Sequence, residues 1–594
     1  MRASRAIIIS IWVSAAGAVA WGFVPEAAAL FTEQAQFGSG HTIAVAWGDS
    51  DNDGDLDVAV GNYTGVNELY LNNGDGSFTQ QDQFGESGTF AVAWADFDND
   101  GDQDIAVGRN NVGTNTIYLN NGDGTFTAGP TFGSRRTNSV AWADYDRDGD
   151  LDLAVGNGLL GTDQQNQLYV NNGDGTFTRI AQFGLNQSAS VVWGDYDNDG
   201  DPDLAVGNGG FGYEQQNYLY VNNSDGTFTE SAQFGGEDTA CLAWGDCDND
   251  GDLDMAVGNW NGGPNYLYVN NGDGTFTGAP QFGARDCNTL AWGDCDNDGD
   301  LDLAVGNGDF TSADQNYLYI NNADGTFTEQ AEFGLGSTDA VAWGDYDRDG
   351  DLDVAVGNEH SPSQNYLYVN GENDGDFLIL KLRGHFDDLG PGYSNRDGVG
   401  AKIAAYEAGF VGDPAHLLAH REIEAHGGFS AQNAIEAHLG LPGRALVDVR
   451  ITWPGSAGTH FVQDLPGLTV GQRLMIEEVD LQGIEHGDMP EGGTELLRIS
   501  PNPTRGGTHL SWRSARMDSG GTNGLGARAG CIAIYSPSGR LLRALQVTGP
   551  DAGGFYQADW DGRTSEGALV PAGVYLARGL GRHARASAKM LVIR

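Results

Sequence analysis

The chain has 594 residues, 83 acidic and 30 basic side chains, and a formal charge of −53. Such a polyanion is repelled by nucleic acid, and a content of 40% hydrophobic and 10% aromatic residues excludes a disordered acidic chain. Glycine, at 91 residues, is about twice its usual share of roughly 7%, and without a collagen period it marks a turn-dense β protein.

The length implies roughly three to four domains, and the charge divides the chain unevenly. Residues 31–370 hold 57 Asp and Glu against seven Arg and no Lys, whereas residues 495–594 hold 13 basic and six acidic side chains. The start, Met1-Arg-Ala-Ser-Arg5, runs into an apolar stretch from Ala6 to Val13 and then Ala18-Val19-Ala20. A basic head, a short apolar run and an Ala-x-Ala site predict a secretory signal peptide over 1–20, cleaved after Ala20. The run is too short for the roughly 20 apolar residues of a membrane span, and no later segment supplies one.

The string Trp-Gly/Ala-Asp-x-Asp-x-Asp-Gly-Asp-x-Asp-hydrophobic-Ala-Val-Gly then occurs seven times, starting at Trp47, Trp94, Trp142, Trp193, Trp244, Trp292 and Trp343. Each copy is followed by a phrase such as Leu69-Tyr-Leu-Asn-Asn-Gly-Asp-Gly-Ser-Phe78, a hairpin whose Asn and Gly tolerate positive φ. Gln-Phe-Gly, as at Phe37, Phe84 and Phe183, precedes the next Trp strand. About four short strands per period of 47 to 51 residues is the content of a propeller blade, and seven blades close a ring. Phe31-Thr-Glu-Gln-Ala-Gln-Phe-Gly38 repeats the blade junction ahead of the first Trp and can complete the last blade. An open superhelix of parallel β-turns is the competing arrangement.

In the first copy, Asp49, Asp51 and Asp53 occupy positions 1, 3 and 5, Gly54 permits a sharp turn, and position 7 supplies a backbone carbonyl. Asp57 at position 9 returns a carboxylate sooner than the Glu of an EF-hand. Oxygen-only ligands select Ca2+ over zinc or copper. Strand-like flanks make this a strand–loop–strand site, and recurrence in all seven copies weighs against a merely solvated acidic surface. Extracellular calcium modules bind at about 10⁻⁴–10⁻³ M, and at ten times that concentration each site stabilises by about 1.4 kcal/mol. Seven sites together reach the order of a whole domain's stability, which predicts about seven structural Ca2+ ions rather than a sensor. Five cysteines, Cys241, Cys247, Cys287, Cys295 and Cys531, are too few and irregular for a disulfide framework. Cys247 and Cys295 occupy the same repeat position, so they are either bridged or small buried hydrophobes.

The ordered recurrence of Phe-Gly, the Asp ladder and Leu-Tyr-Val-Asn-Asn over 31–372 resembles the FG-GAP and VCBS repeats of integrin α-subunit propellers and related bacterial surface proteins. The resemblance implies a seven-bladed propeller whose calcium loops rigidify one face. Carried over by match, it implies as ligands Asp96, Asp98, Asp100 and Asp104; Asp144, Asp146, Asp148 and Asp152; Asp195, Asp197, Asp199 and Asp203; Asp246, Asp248, Asp250 and Asp254; Asp294, Asp296, Asp298 and Asp302; and Asp345, Asp347, Asp349 and Asp353. The position-7 residues Asp55, Asp102, Asp150, Asp201, Asp252, Asp300 and Asp351 join the candidate set, although their carbonyls already serve. Integrin propellers carry the motif in only some blades, so seven of seven favours the bacterial type.

Beyond Asn370 comes Phe377-Leu-Ile-Leu-Lys-Leu-Arg-Gly384, then Ser394-Asn-Arg-Asp-Gly-Val-Gly-Ala-Lys-Ile403, Gly427-Gly-Phe-Ser-Ala-Gln-Asn433, His438-Leu-Gly-Leu441 and Val447-Asp-Val-Arg-Ile-Thr-Trp-Pro454. This order is similar to the ASPIC/UnbV domain, over 375–480. His416, His420, Glu422, Glu424 and His426 share parity, so an extended strand lines them along one face, read here as solvated. Residues 481–494 form a linker. The tail, 495–594, carries Ile499-Ser-Pro-Asn-Pro503, Trp560-Asp-Gly-Arg563, Pro571-Ala-Gly-Val-Tyr575 and Lys589-Met-Leu-Val-Ile-Arg594. Its short strands predict an Ig-like β-sandwich, similar to type IX secretion sorting domains and to the Ig-like domain of flagellar hook-capping proteins. The first implies contact with secretion machinery and the outer membrane, the second only an accessory module.

No nucleophile elbow, phosphate loop, dinucleotide fingerprint or HExxH signature is present, so no catalytic residue is assigned. The expectation is therefore an all-β, secreted or cell-surface calcium-stabilised propeller that binds an extracellular protein or glycan. The competing class is an extracellular Ca2+-dependent polysaccharide-degrading enzyme.

Overall fold

The computed structural model describes residues 30–478, apart from residues 36, 39, 82–83, 86, 112, 160–161, 182, 210–213, 232–233, 309–312, 360–363, 372–374, 386–392, 427–429 and 456–460, and strands between 496 and 592 together with Arg563. The expected signal peptide and linker lie outside the described residues. The chain divides into two compact units, Met1–Glu478 and Val479–Arg594. Among the described residues no helix is long and apolar enough to cross a membrane.

Blade 1 shows why the repeat folds as it does. His41–Gly48 carries Trp47 and pairs antiparallel with Asp57–Thr64, which pairs with Glu68–Asn72 and then Phe78–Gln81. The inner two strands are buried on both faces because each blade packs against its neighbours, so they read as continuous Ala-Val runs rather than alternating ones. The outer strand is half-buried to exposed along its length. Six further sheets repeat this order, with inner strands Thr89–Ala95, Thr137–Ala143, Ser188–Gly194, Thr239–Gly245, Cys287–Gly293 and Thr338–Gly344. The seventh is completed by Phe31–Ala35, antiparallel to Tyr366–Asn370, as the repeated junction phrase anticipates.

Contacts across the ends of the chain exclude an open superhelix. The Trp47 indole donates to the carbonyl of Ala342 at 3.0 Å, joining blade 1 to blade 7. The same bond steps round the ring at Trp94–Ala46, Trp142–Ala93, Trp193–Ala141, Trp292–Ala243 and Trp343–Ala291. Trp244 alone leaves its buried N–H without an acceptor.

Residues 377–478 belong to the same compact unit as the propeller. They form a three-stranded sheet (Ala437–Gly440, Phe377–Arg383, Gln472–Glu477) and a four-stranded one (Leu417–Glu422, Lys402–Glu407, Leu446–Trp453, Phe461–Thr469). Their apolar faces, including Leu378, Ile403, Val449 and Trp453, form one continuous core with blades 2 and 3. A segment of this domain fills the centre of the ring, where inner strands would otherwise present unpaired edges to water. Ala431–Gln432 pairs in parallel with Val45 and Ala46, Trp142 N–H donates to Ala425 O, and Ala434 N–H donates to Trp343 O. Gln432 and Asn433 side chains bond the backbone of Trp94, Trp292 and Trp343.

The second unit holds two antiparallel sheets: Leu496–Ser500, Thr508–Arg513 and Phe555–Trp560, and Leu541–Gln546, Cys531–Tyr535, Gly573–Leu580 and Ser587–Val592.

The bridge considered between Cys247 and Cys295 does not form. Each buried thiol instead donates, at 3.0 Å, to an aspartate of its own blade, Asp254 or Asp302.

Because only Trp193 of the pair has an acceptor, Trp193→Phe should cost about 1 kcal/mol more than Trp244→Phe. Denaturant unfolding in millimolar calcium measures the difference, and equal costs would remove the inter-blade bond from the account.

Candidate metal centres

Each Asp-rich loop leaves the inner strand and returns through the second. Two left-handed residues turn it: position 4, with φ between 55° and 62°, and the position-6 glycine, with φ between 90° and 101°. At position 6 a side chain would be strained, which explains the glycine in every copy. The turn then folds back on its own carboxylates. In blade 1, Gly54 N–H donates to Asp49, Asp53 N–H to Asp51 and Asp55 N–H to Asp53.

The result is a convergence of oxygens. Among the described residues, seven groups of at least three potential ligands place one atom each within 4.8 Å of the others, among them Asp49–Asp51–Asp53, Asp96–Asp98–Asp104, Asp144–Asp146–Asp152, Asp195–Asp197–Asp199 and Asp246–Asp248–Asp250. Position 1 is buried throughout, and Oδ1 of Asp96, Asp195, Asp294 and Asp345 is enclosed without a hydrogen-bond partner. A carboxylate oxygen left so in the interior costs several kcal/mol unless a cation meets it. The donor set is oxygen only and lies in turns, which fits a hard divalent cation such as Ca2+.

Electrostatics point the same way. Burial and then neighbouring carboxylates push Asp146, Asp248 and Asp347, all at position 3, up to about 6. Burial, then Asp397 and Asp104, raises Asp96 to about 9, while burial raises Asp294 to about 6 against the opposing pull of Arg421.

Position 9 has a further task. Asp57 accepts the N–H of Ser50 at 2.9 Å and that of Asn72 at 2.8 Å, tying the loop to the Asn-Asn-Gly turn. Asp104, Asp152, Asp254, Asp302 and Asp353 repeat both bonds, whereas Asp203 keeps only the one from Asn222. Asp104 and Asp152 also belong to the oxygen groups above.

Position 7 points elsewhere. In each blade its carboxylate takes the position-4 side chain of the preceding blade: Asn52 to Asp102, Asn99 to Asp150, Arg147 to Asp201, Asn198 to Asp252, Asn249 to Asp300 and Asn297 to Asp351. Arg348 to Asp55, at 2.9 Å, closes the circle. A second circle runs beside it, from Asn72 to Tyr346 O and onward through Asn120 to Ser50 O, with all seven blades taking part. The position-7 side chains therefore bind blade to blade. Position 4 is Asn or Arg in every copy, a donor at a fixed place, but its partner lies one blade away.

The reading of His420, Glu422, Glu424 and His426 as a solvated face is corrected. They do share one face, but it is turned into the ring. His420 Nδ1 lies 3.0 Å from Asp246, Glu422 accepts the N–H of Asp195, and His426 Nε2 donates to Trp193 O at 2.7 Å. Burial holds the His426 imidazole down at about 4, so it is neutral. His416 lies outside this group, stacked on Phe410.

The family described as FG-GAP-like repeat matches residues 49–107, 96–155, 159–206, 209–257, 246–305 and 294–356, together just over half of the chain. The family described as ASPIC and UnbV matches residues 391–482. No curated protein matches the chain. Among solved structures, BBS1N in complex with ARL6DN, soaked with lead, is similar over 58% of this chain and 98% of its own, with 11% identity and a TM-score of 0.42. YCF48 bound to D1 peptide covers 58% and 97% at 9% identity and a TM-score of 0.39. A protein from Lactobacillus plantarum covers 49% and 83% at 11% identity and a TM-score of 0.37.

Carboxylates whose folded pKa is raised above the ordinary value near 3.8 stabilise the protein fully below pH 4 and lose that contribution as pH rises through the folded values. With chelator present, burial sets Asp57 and Asp254 at about 7, Asp104 at about 8 and Asp203 at about 9. The chelated chain should therefore melt several degrees lower at pH 8.5 than at pH 5.5, and saturating calcium should abolish that fall. A chelated melt independent of pH over this range contradicts the crowding.

Proposed function

The chain belongs to the FG-GAP-like repeat family, and from that premise we propose that it is an exported or cell-surface propeller, stiffened by about seven structural calcium ions, that binds an extracellular protein or glycan. The calcium reading rests on the enclosed, partnerless position-1 oxygens, which a cation in the loop would satisfy. The binding reading rests on where the propeller leaves apolar surface. The Asp loops and the Asn-Asn-Gly turns share one end of the blades, joined by the Asn72–Asp57 bond, and the other connections lie at the opposite end. Among the described residues, the propeller's exposed large apolar side chains are Tyr63, Val66, Leu185 and Leu335, in strand ends or connections at that opposite end. Apolar side chains on loops held by a rigid ring suit ligand contact.

The signal peptide supports export. The two sheets of the second unit support an accessory β module, proposed as an Ig-like sorting domain that engages secretion machinery. No residue of the chain is assigned a catalytic role.

Stripping calcium should lower the melting temperature by tens of degrees, and an unchanged melt defeats the calcium assignment. Calcium-loaded protein offered to glycan arrays and matrix proteins should show saturable capture, weakened several-fold by Tyr63→Ser with Leu335→Ser at unchanged melting temperature. Release of cleaved product from polyanionic polysaccharide would favour the enzyme class instead.

A further inference from the structure

The face that carries the calcium loops is covered by residues 377–478, and the contacts follow a rule. Five side chains of this domain each reach the position-1 aspartate of a different blade, always at Oδ2. Lys381 lies 3.2 Å from Asp49, Lys402 2.8 Å from Asp195, His420 3.0 Å from Asp246, Arg421 3.2 Å from Asp294 and Arg473 3.1 Å from Asp345. Blade 2 is met differently: Asp397 of the domain accepts the N–H of Asp96 at 2.8 Å. In blades 4, 6 and 7 the second oxygen of the same carboxylate, Oδ1, is buried and has no hydrogen-bond partner. Each of these carboxylates thus presents one oxygen to the domain and keeps the other enclosed.

From this we propose that seating of the 377–478 domain and calcium loading of the blade loops are one coupled event, with position-1 carboxylates shared between a domain cation and the ion. The inference rests on the calcium reading above and adds a partner to it. An ion in the loop fixes the position-1 side chain, so that Oδ2 faces outward where the domain needs it. The five carboxylates of a loop outnumber the two charges of the ion, so a filled loop still attracts Lys and Arg. Without an ion the position-6 N–H alone steadies that Oδ2, as Gly200 does for Asp195 and Gly251 for Asp246. Because linkage is reciprocal, the domain tightens ion binding by the factor by which ions tighten the domain. The docked domain also carries Ala425 and Ser430–Ala434, which bond the inner strands of the ring, so ion loss at the rim is transmitted to the centre.

The test uses the full chain and two readouts. Calcium titration by calorimetry compares the natural sequence with Lys381→Gln/Lys402→Gln, whose side chains are 31% and 16% exposed and so tolerate replacement, and with Arg421→Gln/Arg473→Gln. Arg450→Gln, which loses a pair with Asp464 on the domain's own strands, is the control. Coupling predicts average calcium affinity weakened roughly five-fold or more in both double variants and unchanged in the control. Hydrogen exchange of residues 425–434 at subsaturating and saturating calcium should differ at least about ten-fold, with faster exchange at low calcium. If the chain binds no calcium, the underlying calcium reading fails. If it binds about seven ions, yet the double variants bind as tightly as the natural sequence and exchange at 425–434 ignores calcium, the coupling alone is overturned.

Discussion

Five aspartates in each of seven turns, thirty-five in all, are drawn to one end of a single ring, and their mutual repulsion is the constraint to which the rest of the structure answers. The protein divides these carboxylates by task. Positions 1 and 3 converge on a candidate cation site together with position 5 or position 9, position 9 also accepts backbone N–H groups at the blade's own turn, and position 7 reaches for the neighbouring blade. Buried oxygens wanting a positive charge lie mostly in the first group, at Asp96, Asp195, Asp294 and Asp345, with Asp203 at position 9 a further one. Burial makes that want large, because in the interior neither water nor salt screens it.

The ring converts a local arrangement into a global one. Indole N–H bonds at the centre, Asn-to-carbonyl bonds behind the loops and the position-4 to position-7 links at the rim each run from blade to blade, and the last two circles close through blade 7 back onto blade 1. A disturbance in one loop is therefore felt by its neighbours. The domain at 377–478 extends this logic by covering the charged face and pairing with the strand edges that a ring leaves open at its axis. Among the described residues, the opposite end keeps the exposed Tyr63, Val66, Leu185 and Leu335.

Much of this was legible in the sequence, and the boundary of legibility has a physical cause. Blade number and strand order were readable because Trp47 and its six counterparts recur with the same flanks, and closure was readable because Phe31–Phe37 repeats a junction phrase. The turn chemistry was readable at Gly54, where positive φ demands glycine. The separate duties of Asp55 and Asp57 were not, since a carboxylate's partner lies in another turn: Arg348 for Asp55 and Asn72 for Asp57. The placement of His420 and His426 was misread for a related reason. Their alternation correctly gave one face, but a strand cannot announce whether water or a ring of tryptophans lies opposite. Lys381 and Asp49 are 332 residues apart, and no local pattern links them.

The account stands or falls on the ions themselves. Elemental analysis of the full chain after equilibration in millimolar calcium and rapid removal of free ions should return about seven calcium atoms per molecule. A value near zero, from protein that is still folded, would contradict it.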